Sequence, residues 1–372
     1  MNYKNFHGIK LSRLGMGNMR LPEKGEGMNA QIDQEKAQAI IDYAIAHGVN
    51  YFDTAYIYHN GNSEAFVGKA LGKYKRDSYY IADKFNMMAN PDYKAQFNEQ
   101  LLRLQTDYID FYLLHGVQDF AIDELLTSGC IEYFRSLKDE GKIKYFGFSF
   151  HGSPEGLRHM LATGLWDFVQ IQLNYYDWAY GDAKALYEIL EEHHIPIMVM
   201  EPVHGGRLAN LTEEANALLK SAEPDKSIAS WAMRWVMRLP NVQVVLSGMS
   251  NMEQVEDNVR TFEENQPLTE EQCALVRKAG DFYRPTVTVA CTQCRYCCND
   301  CPKELDIPGL LKVYNDMKLD ASWRLFYLEN FAEDKKPTAC IGCGSCKRHC
   351  PQGFDIPRYM KEMAGIYEMM KK

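Results

Sequence analysis

Residues 51–55 read YFDTA, a short aromatic run that carries an acid. Alone it fits many folds; its recurrence decides the architecture. Comparable β-branched or aromatic runs stand at RLGMGNM (13–19), YIADK (80–84), DFYLLH (110–115), KYFGFSF (144–150), VQIQLN (169–174), PIMVMEP (196–202) and QVVLSG (243–248). Between them lie segments with apolar residues at helical spacing, such as DQEKAQAIIDYAIAHG and EQVEDNVRTFEEN. Eight such strands alternating with helices predict an α/β chain whose residues 1–283 close into a parallel (β/α)8 barrel. A doubly wound sheet is the rival. GMGNMR, however, lacks the third glycine of a dinucleotide fingerprint and opens no helix.

A barrel of this kind keeps its chemistry at the C-terminal ends of its strands. Asp53 ends the second run, with Tyr58 in the loop beyond it; Lys84 ends the third and His115 the fourth. Each has a bland reading. Asp53 suits a turn cap, Tyr58 a surface aromatic, Lys84 a solvated charge and His115 a satisfied core histidine. At equivalent positions on consecutive strands they point instead to one pocket.

Residues 284–372 are of another kind. CTQCRYCCNDCP (291–302) and CIGCGSCKRHCP (340–351) repeat one spacing, C-x2-C-x2-C-x3-C-P. In paired motifs of this spacing, three cysteines of one copy and the last of the other hold one iron–sulfur cube. That rule assigns Cys291, Cys294, Cys297 and Cys350 to one [4Fe–4S] cluster, and Cys340, Cys343, Cys346 and Cys301 to another. Structural zinc sites use C-x2-C pairs but do not call for a third cysteine at the same step. The repeats resemble bacterial two-[4Fe–4S] ferredoxins. Apolar residues at helical spacing between the repeats and after the second predict a small, mainly helical ferredoxin-like domain. Cys298, out of register, and Cys130 and Cys273 elsewhere are expected to be packing or bystander thiols.

Composition sets outer bounds. The chain has 372 residues, 46% of them hydrophobic and 24% charged, with a formal charge of −9. Without a basic stripe, nucleic acid and anionic membrane surfaces are excluded as partners. No run approaches a membrane span, and the N-terminus lacks an apolar signal core. A cytoplasmic location is expected, where eleven cysteines suggest metal ligation over disulfides.

The front of the chain also resembles the aldo-keto reductase family over residues 5–265. The resemblance is carried by NYFDTAYIYHNGNSE, IADK, DYIDFYLLHG, GKIKYFGFS, VQIQLNYYD and GMSNMEQVEDN. It implies an oxidoreductase that interconverts a carbonyl and an alcohol with NAD(P)H. Its catalytic tetrad would be Asp53, Tyr58, Lys84 and His115. Tyr58 would be the general acid, its pKa lowered by Lys84; Asp53 would keep Lys84 charged, and His115 would bond the substrate oxygen or assist the proton relay. Implied cofactor contacts are Ser149, Gln172, Asn174, Gly205, Arg207, Ser250, Gln254 and Asn258, with Gly206, Gly248 and Asn251 beside them. The chain departs from the family pattern at several of these positions. Phe150 replaces an asparagine, with His151 next. Met200 replaces a stacking aromatic, and Glu201 sets a carboxylate near the pyrophosphate path, with Arg207 as its candidate partner. Gln254 replaces the cation preferred for a 2′-phosphate, so weak discrimination between NADP and NAD is expected.

A nicotinamide delivers two electrons as hydride, whereas a [4Fe–4S] cluster passes one, and no feature is assignable to a flavin that could split the pair. Three functional readings follow: a carbonyl oxidoreductase whose clusters are structural or lead to a redox partner protein, an electron-transfer scaffold with a degenerate barrel, and a redox sensor. The short segment DFYRPTVTVA (281–290) is read as a linker that would let the tail dock on the barrel's C-terminal rim.

Overall fold

The computed structural model describes residues 1–25, 30–287, 289, 291, 294–319 and 322–371. All eight runs form strands: β1 (Leu14–Gly17), β2 (Tyr51–Asp53), β3 (Tyr80–Phe85), β4 (Ile109–Val117), β5 (Ile143–Phe150), β6 (Phe168–Gln172), β7 (Ile197–Met200) and β8 (Val242–Ser247). They close into a barrel in chain order, with every neighbouring pair parallel. The intervening helices bury one stripe each. Helix Gln34–Ala46 is capped by Asp33, whose side chain accepts from Lys36 N, and buries Ala37, Ile40, Ile41 and Ala44. Helix Met252–Glu264 is capped by Asn251 and buries Val255, Val259 and Phe262.

Strand register sets the barrel interior in layers. An N-terminal hairpin, Tyr3–Phe6 with Ile9–Ser12, lays Phe6 against Phe111 and Tyr145 at ring distances of 5.4 and 4.9 Å. Tyr51, Ala82, Leu113, Phe168, Met198, Val244 and Leu246 complete this apolar floor. Side chains two residues further along a strand share its face, so the layer above the floor is polar. Asp53 pairs in register with Ala82, Lys84 with Leu113, and Leu113 with Gly147. Asp53, Lys84 and His115 therefore climb the inside of the barrel like a stair. A register shift between Leu114 and Val117 frees the end of β4, where Gly116 takes φ +64.

The chain divides into two compact units: residues 1–209 with 220–277, and residues 210–219 with 278–372. The division falls inside helix Glu270–Val287, which carries Pro285. Residues 281–287 of the segment read as a linker are thus helical, while residues 288 and 290 lie outside the described residues. The second unit is mainly helical, as the sequence predicts. Helices Ile307–Leu319 and Ile356–Met370 share a core that includes Leu310, Leu311, Tyr314, Leu325, Leu328, Met360 and Met363. Lys336, buried beside them, is held by Glu329 at 2.7 Å, Glu333 at 2.6 Å and the Tyr367 hydroxyl at 3.0 Å. No helix among the described residues is long and apolar enough to cross a membrane.

One glycine is required by the barrel wall. A Cβ on Gly147 would lie 2.3 Å from the Phe168 carbonyl oxygen, and that oxygen belongs to a strand that cannot retreat. Gly147→Ala is expected to destabilise the protein by about 1–3 kcal/mol, the range for overpacking. Urea unfolding measures this, and an unchanged midpoint would contradict the tight β5–β6 approach.

Candidate functional site

The pocket is organised by a buried ion pair. Lys84 Nζ donates to Asp53 Oδ1 at 2.7 Å and to the Thr54 carbonyl at 2.6 Å; Lys84 is fully buried and Asp53 nearly so. Asn18, also fully buried, donates to the Asp53 carbonyl at 2.9 Å. Burial alone would lower the Lys84 pKa, but the Asp53 charge and hydrogen bond, with Tyr58 and Asp83, reverse this and raise it. Lys84 therefore stays an ammonium. Its Nζ lies 4.9 Å from the centroid of the Tyr58 ring. The Tyr58 ring in turn meets His115 edge-on, centroids 5.8 Å apart at 82°. The four side chains predicted to share a pocket are brought together.

Their protonation departs from expectation at one point. Burial raises the Tyr58 pKa and outweighs Lys84, which pulls it down by charge and hydrogen bond; Asp53 and Glu201 add to the rise. The phenol is thus held as an acid, not eased toward phenolate. Burial, helped by the Lys84 charge, brings His115 down to about 3, so its imidazole is neutral at ordinary pH.

Several residues predicted to hold the nucleotide carry structural bonds of their own. The Ser149 hydroxyl accepts from Gly116 N at 2.7 Å and ties β5 to the end of β4. Gln172 donates to Asp177 Oδ2 at 2.8 Å. Asn174 caps helix Tyr175–Tyr180 and donates to Asp177 Oδ2 at 2.7 Å and the Glu201 carbonyl at 3.0 Å. Gln254 accepts from Ser250 N at 2.7 Å, and Asn258 donates to Ser247 Oγ at 2.9 Å. Gly205, Gly206 and Arg207 lie in the turn His204–Ala209, where both glycines have positive φ. Tyr56 and Trp178 pack outward: Tyr56 bonds Glu99 at 2.8 Å, and Trp178 meets Tyr187 and Trp235.

Two features were not singled out from the sequence. Gln170 is buried on the same face as Gln172; its Nε2 donates to Met200 Sδ at 3.5 Å, and its Oε1 has no partner among the described residues. A buried orphan acceptor above the apolar floor suits an incoming amide donor. The VQIQ alternation was the available signal. The second feature is a cavity of about 730 Å³ lined by Arg20, Lys36, His59, Ser250 and Asn251 among others. The Ser250 hydroxyl donates to the Arg20 carbonyl at 2.7 Å. Arg20 and Lys36 thus put two cationic side chains on the wall that also carries Ser250 and Asn251.

In the second unit the two cysteine repeats turn alike from their second cysteine onward. The residue after the second cysteine has positive φ in both, Arg295 at 62° and Gly344 at 74°, and each starts a one-turn helix, Tyr296–Asn299 and Ser345–Arg348. Two cavities result. One, about 330 Å³ of unfilled space, is lined by Cys291, Cys294, Cys297 and Cys350. The other, about 360 Å³, is lined by Cys301, Cys340, Cys343 and Cys346. Ile356 lines both. The last cysteine of each repeat is thus delivered to the other repeat's cavity. In each cavity four thiols ring a space that would suit an iron–sulfur cube. Cys298 is not among the residues lining either cavity. Cys130 is buried, its Sγ 3.8 Å from the Leu125 carbonyl.

Comparison with known proteins agrees with both halves. The aldo/keto reductase family matches residues 13–281. The chain belongs to the aldo/keto reductase family. Residues 290–354 match the 4Fe-4S dicluster domain. The uncharacterized oxidoreductase YqkF of Bacillus subtilis is 29% identical, over 71% of this chain and 94% of that one. The NADH-specific methylglyoxal reductase of Escherichia coli is 26% identical, over 73% and 96%. The holo form of aldo-keto reductase AKR11C1 from Bacillus halodurans is 30% identical with a TM-score of 0.62, covering 75% and 96%. An aldo/keto reductase barrel followed by an iron–sulfur domain makes the protein an oxidoreductase.

The protonation states fix a pH profile. If Tyr58 is the acid in a carbonyl reduction, it must be protonated, and its raised pKa keeps it so until pH passes the ordinary tyrosine range. His115 stays neutral down to about pH 3. The kcat/KM for reduction is therefore expected to show no inflection from His115 near pH 6.5 and to fall only on the alkaline side. Profiles of the wild type and His115→Gln check this; an acid limb near neutrality that vanishes in the variant would contradict it.

Proposed function

We propose that this protein is a nicotinamide-dependent oxidoreductase that interconverts a small carbonyl and its alcohol in the barrel. Its C-terminal unit carries two [4Fe–4S] clusters with crossed ligands. The observation that supports the catalytic reading best is the buried Lys84–Asp53 pair set beside Tyr58 with a neutral His115. Bound nicotinamide would supply a hydride, and the clusters would pass single electrons.

The chain's own residues do the rest. Tyr58 holds the proton that goes to the carbonyl oxygen. Lys84, kept charged by Asp53, sits where it stabilises the phenolate left behind. His115 offers a neutral ring nitrogen to the same oxygen. Gln170 Oε1 would accept from a carboxamide, and Arg20 and Lys36 would meet the nucleotide's phosphates. Met200 gives the ring face a polarisable thioether where a stacking aromatic was expected. Cys291, Cys294, Cys297 and Cys350 would hold one cluster; Cys301, Cys340, Cys343 and Cys346 the other.

Two measurements test the proposal. With methylglyoxal as probe and either nicotinamide nucleotide, Tyr58→Phe should lower kcat by roughly 10²-fold or more, with nucleotide affinity little changed. Full turnover in Tyr58→Phe would show that another group is the acid. Anaerobically purified protein should hold about eight iron atoms with matching acid-labile sulfide. Cys350→Ala should remove about half of that iron and Cys298→Ala none. Stoichiometric zinc without sulfide would contradict the cluster assignment.

A further inference from the structure

We propose that Asn86 is a positioning residue for the carbonyl chemistry: its side-chain amide fixes the tautomer of His115 so that the imidazole carries its proton on Nε2. The inference rests on the reading that Tyr58 and His115 meet the substrate oxygen. Asn86 follows β3 directly, two residues beyond Lys84, and its Nδ2 lies 3.4 Å from His115 Nδ1.

A neutral imidazole has one donor and one acceptor nitrogen, and the neighbour of one decides the other. The amide could face His115 with either end, but the chain allows only one. Asn86 Oδ1 accepts from Ala89 N at 2.9 Å. Flipping the amide would turn its NH2 onto that N–H, leaving two donors face to face. Nδ2 therefore points to His115, and a proton on Nδ1 would recreate the same clash there. The proton resides on Nε2.

The amide is itself clamped. Asn86 N donates to Gln96 Oε1 at 2.7 Å, and Gln96 Nε2 donates back to the Asn86 carbonyl at 3.0 Å. The same Nε2 reaches the Asn90 carbonyl at 2.8 Å, closing the loop, and Gln96 is fully buried in helix Tyr93–Leu104. A rigid helix thus sets a loop, the loop sets an amide, and the amide sets a ring proton. A second device keeps the ring neutral: Lys84 and burial both disfavour imidazolium. His115 is then a fixed hydrogen-bond donor that polarises the carbonyl oxygen while Tyr58 gives up the proton. The opposite tautomer would present a lone pair to that oxygen and repel it.

The test reads the tautomer directly. Long-range proton–nitrogen correlation spectra of 15N-histidine-labelled, cluster-replete protein are recorded, with His115→Gln to assign the resonance. Wild type should show Nε2 protonated and Nδ1 bare. In Asn86→Asp the carboxylate accepts from Nδ1, so the proton should move to Nδ1. The kcat for methylglyoxal reduction should then fall about tenfold or more, with nucleotide Kd changed less than about twofold. Asn86→Leu should leave a mixture of tautomers and an intermediate kcat. An Nδ1-protonated wild type would overturn the proposal with no variant needed. So would a switched tautomer in Asn86→Asp at undiminished kcat. Because the spectrum needs no turnover, failure of the tautomer assignment is distinguishable from failure of the carbonyl-reduction reading.

Discussion

The salt bridge between Lys84 and Asp53 is the constraint on which the pocket depends. Both groups leave water on folding, and that desolvation is recovered only if each keeps its partner. Removing one side of such a pair costs about 3–5 kcal/mol. The surroundings are accordingly committed to holding it. The Thr54 carbonyl accepts a second hydrogen bond from Lys84, and Asn18 donates to the Asp53 carbonyl. Two consequences pass outward. The fixed ammonium opposes any charge on His115, and under the proposed reaction it would stabilise the negative charge left on Tyr58. The register of β2, β3 and β4 makes this possible by stepping one layer per strand above an apolar floor.

The second unit solves a different problem with the same economy. Eight thiols must face two small cavities without a large core to support them. A left-handed turn after the second cysteine of each repeat brings the third cysteine round. In one repeat a glycine takes that conformation freely; in the other Arg295 takes it at some strain. Exchange of the final cysteines then locks the repeats to each other, so neither cavity is complete without both.

Much of this was legible in the chain. Strands announced themselves because eight apolar runs of the right length alternate with helical patterns, and each became a strand. Asp53, Lys84 and His115 could be placed because strand ends are chemically exposed positions in a barrel. The cysteine spacing gave the crossed sets. What sequence concealed was partnership across space. Gln172 was assigned beside the carboxamide, and the fold adds a bond from it to Asp177 and sets Gln170, with an unpaired buried oxygen among the described residues, one layer deeper. Arg20 meets Ser250 only after the barrel closes. The effect of burial on Tyr58 was invisible, since composition does not show that a phenol in a loop folds back into the barrel mouth. Residues 281–287, with Pro285, looked like a linker; Pro285 is accommodated inside the helix.

The central claim is that Lys84 and Asp53 act as one unit on Tyr58. A double-mutant cycle on kcat for carbonyl reduction, with Asp53→Asn, Lys84→Met and the double variant, tests it most directly. The account predicts that each single change removes most of the activity and that the double variant is no worse than the poorer single. Losses that multiply would show two independent contributions and contradict it.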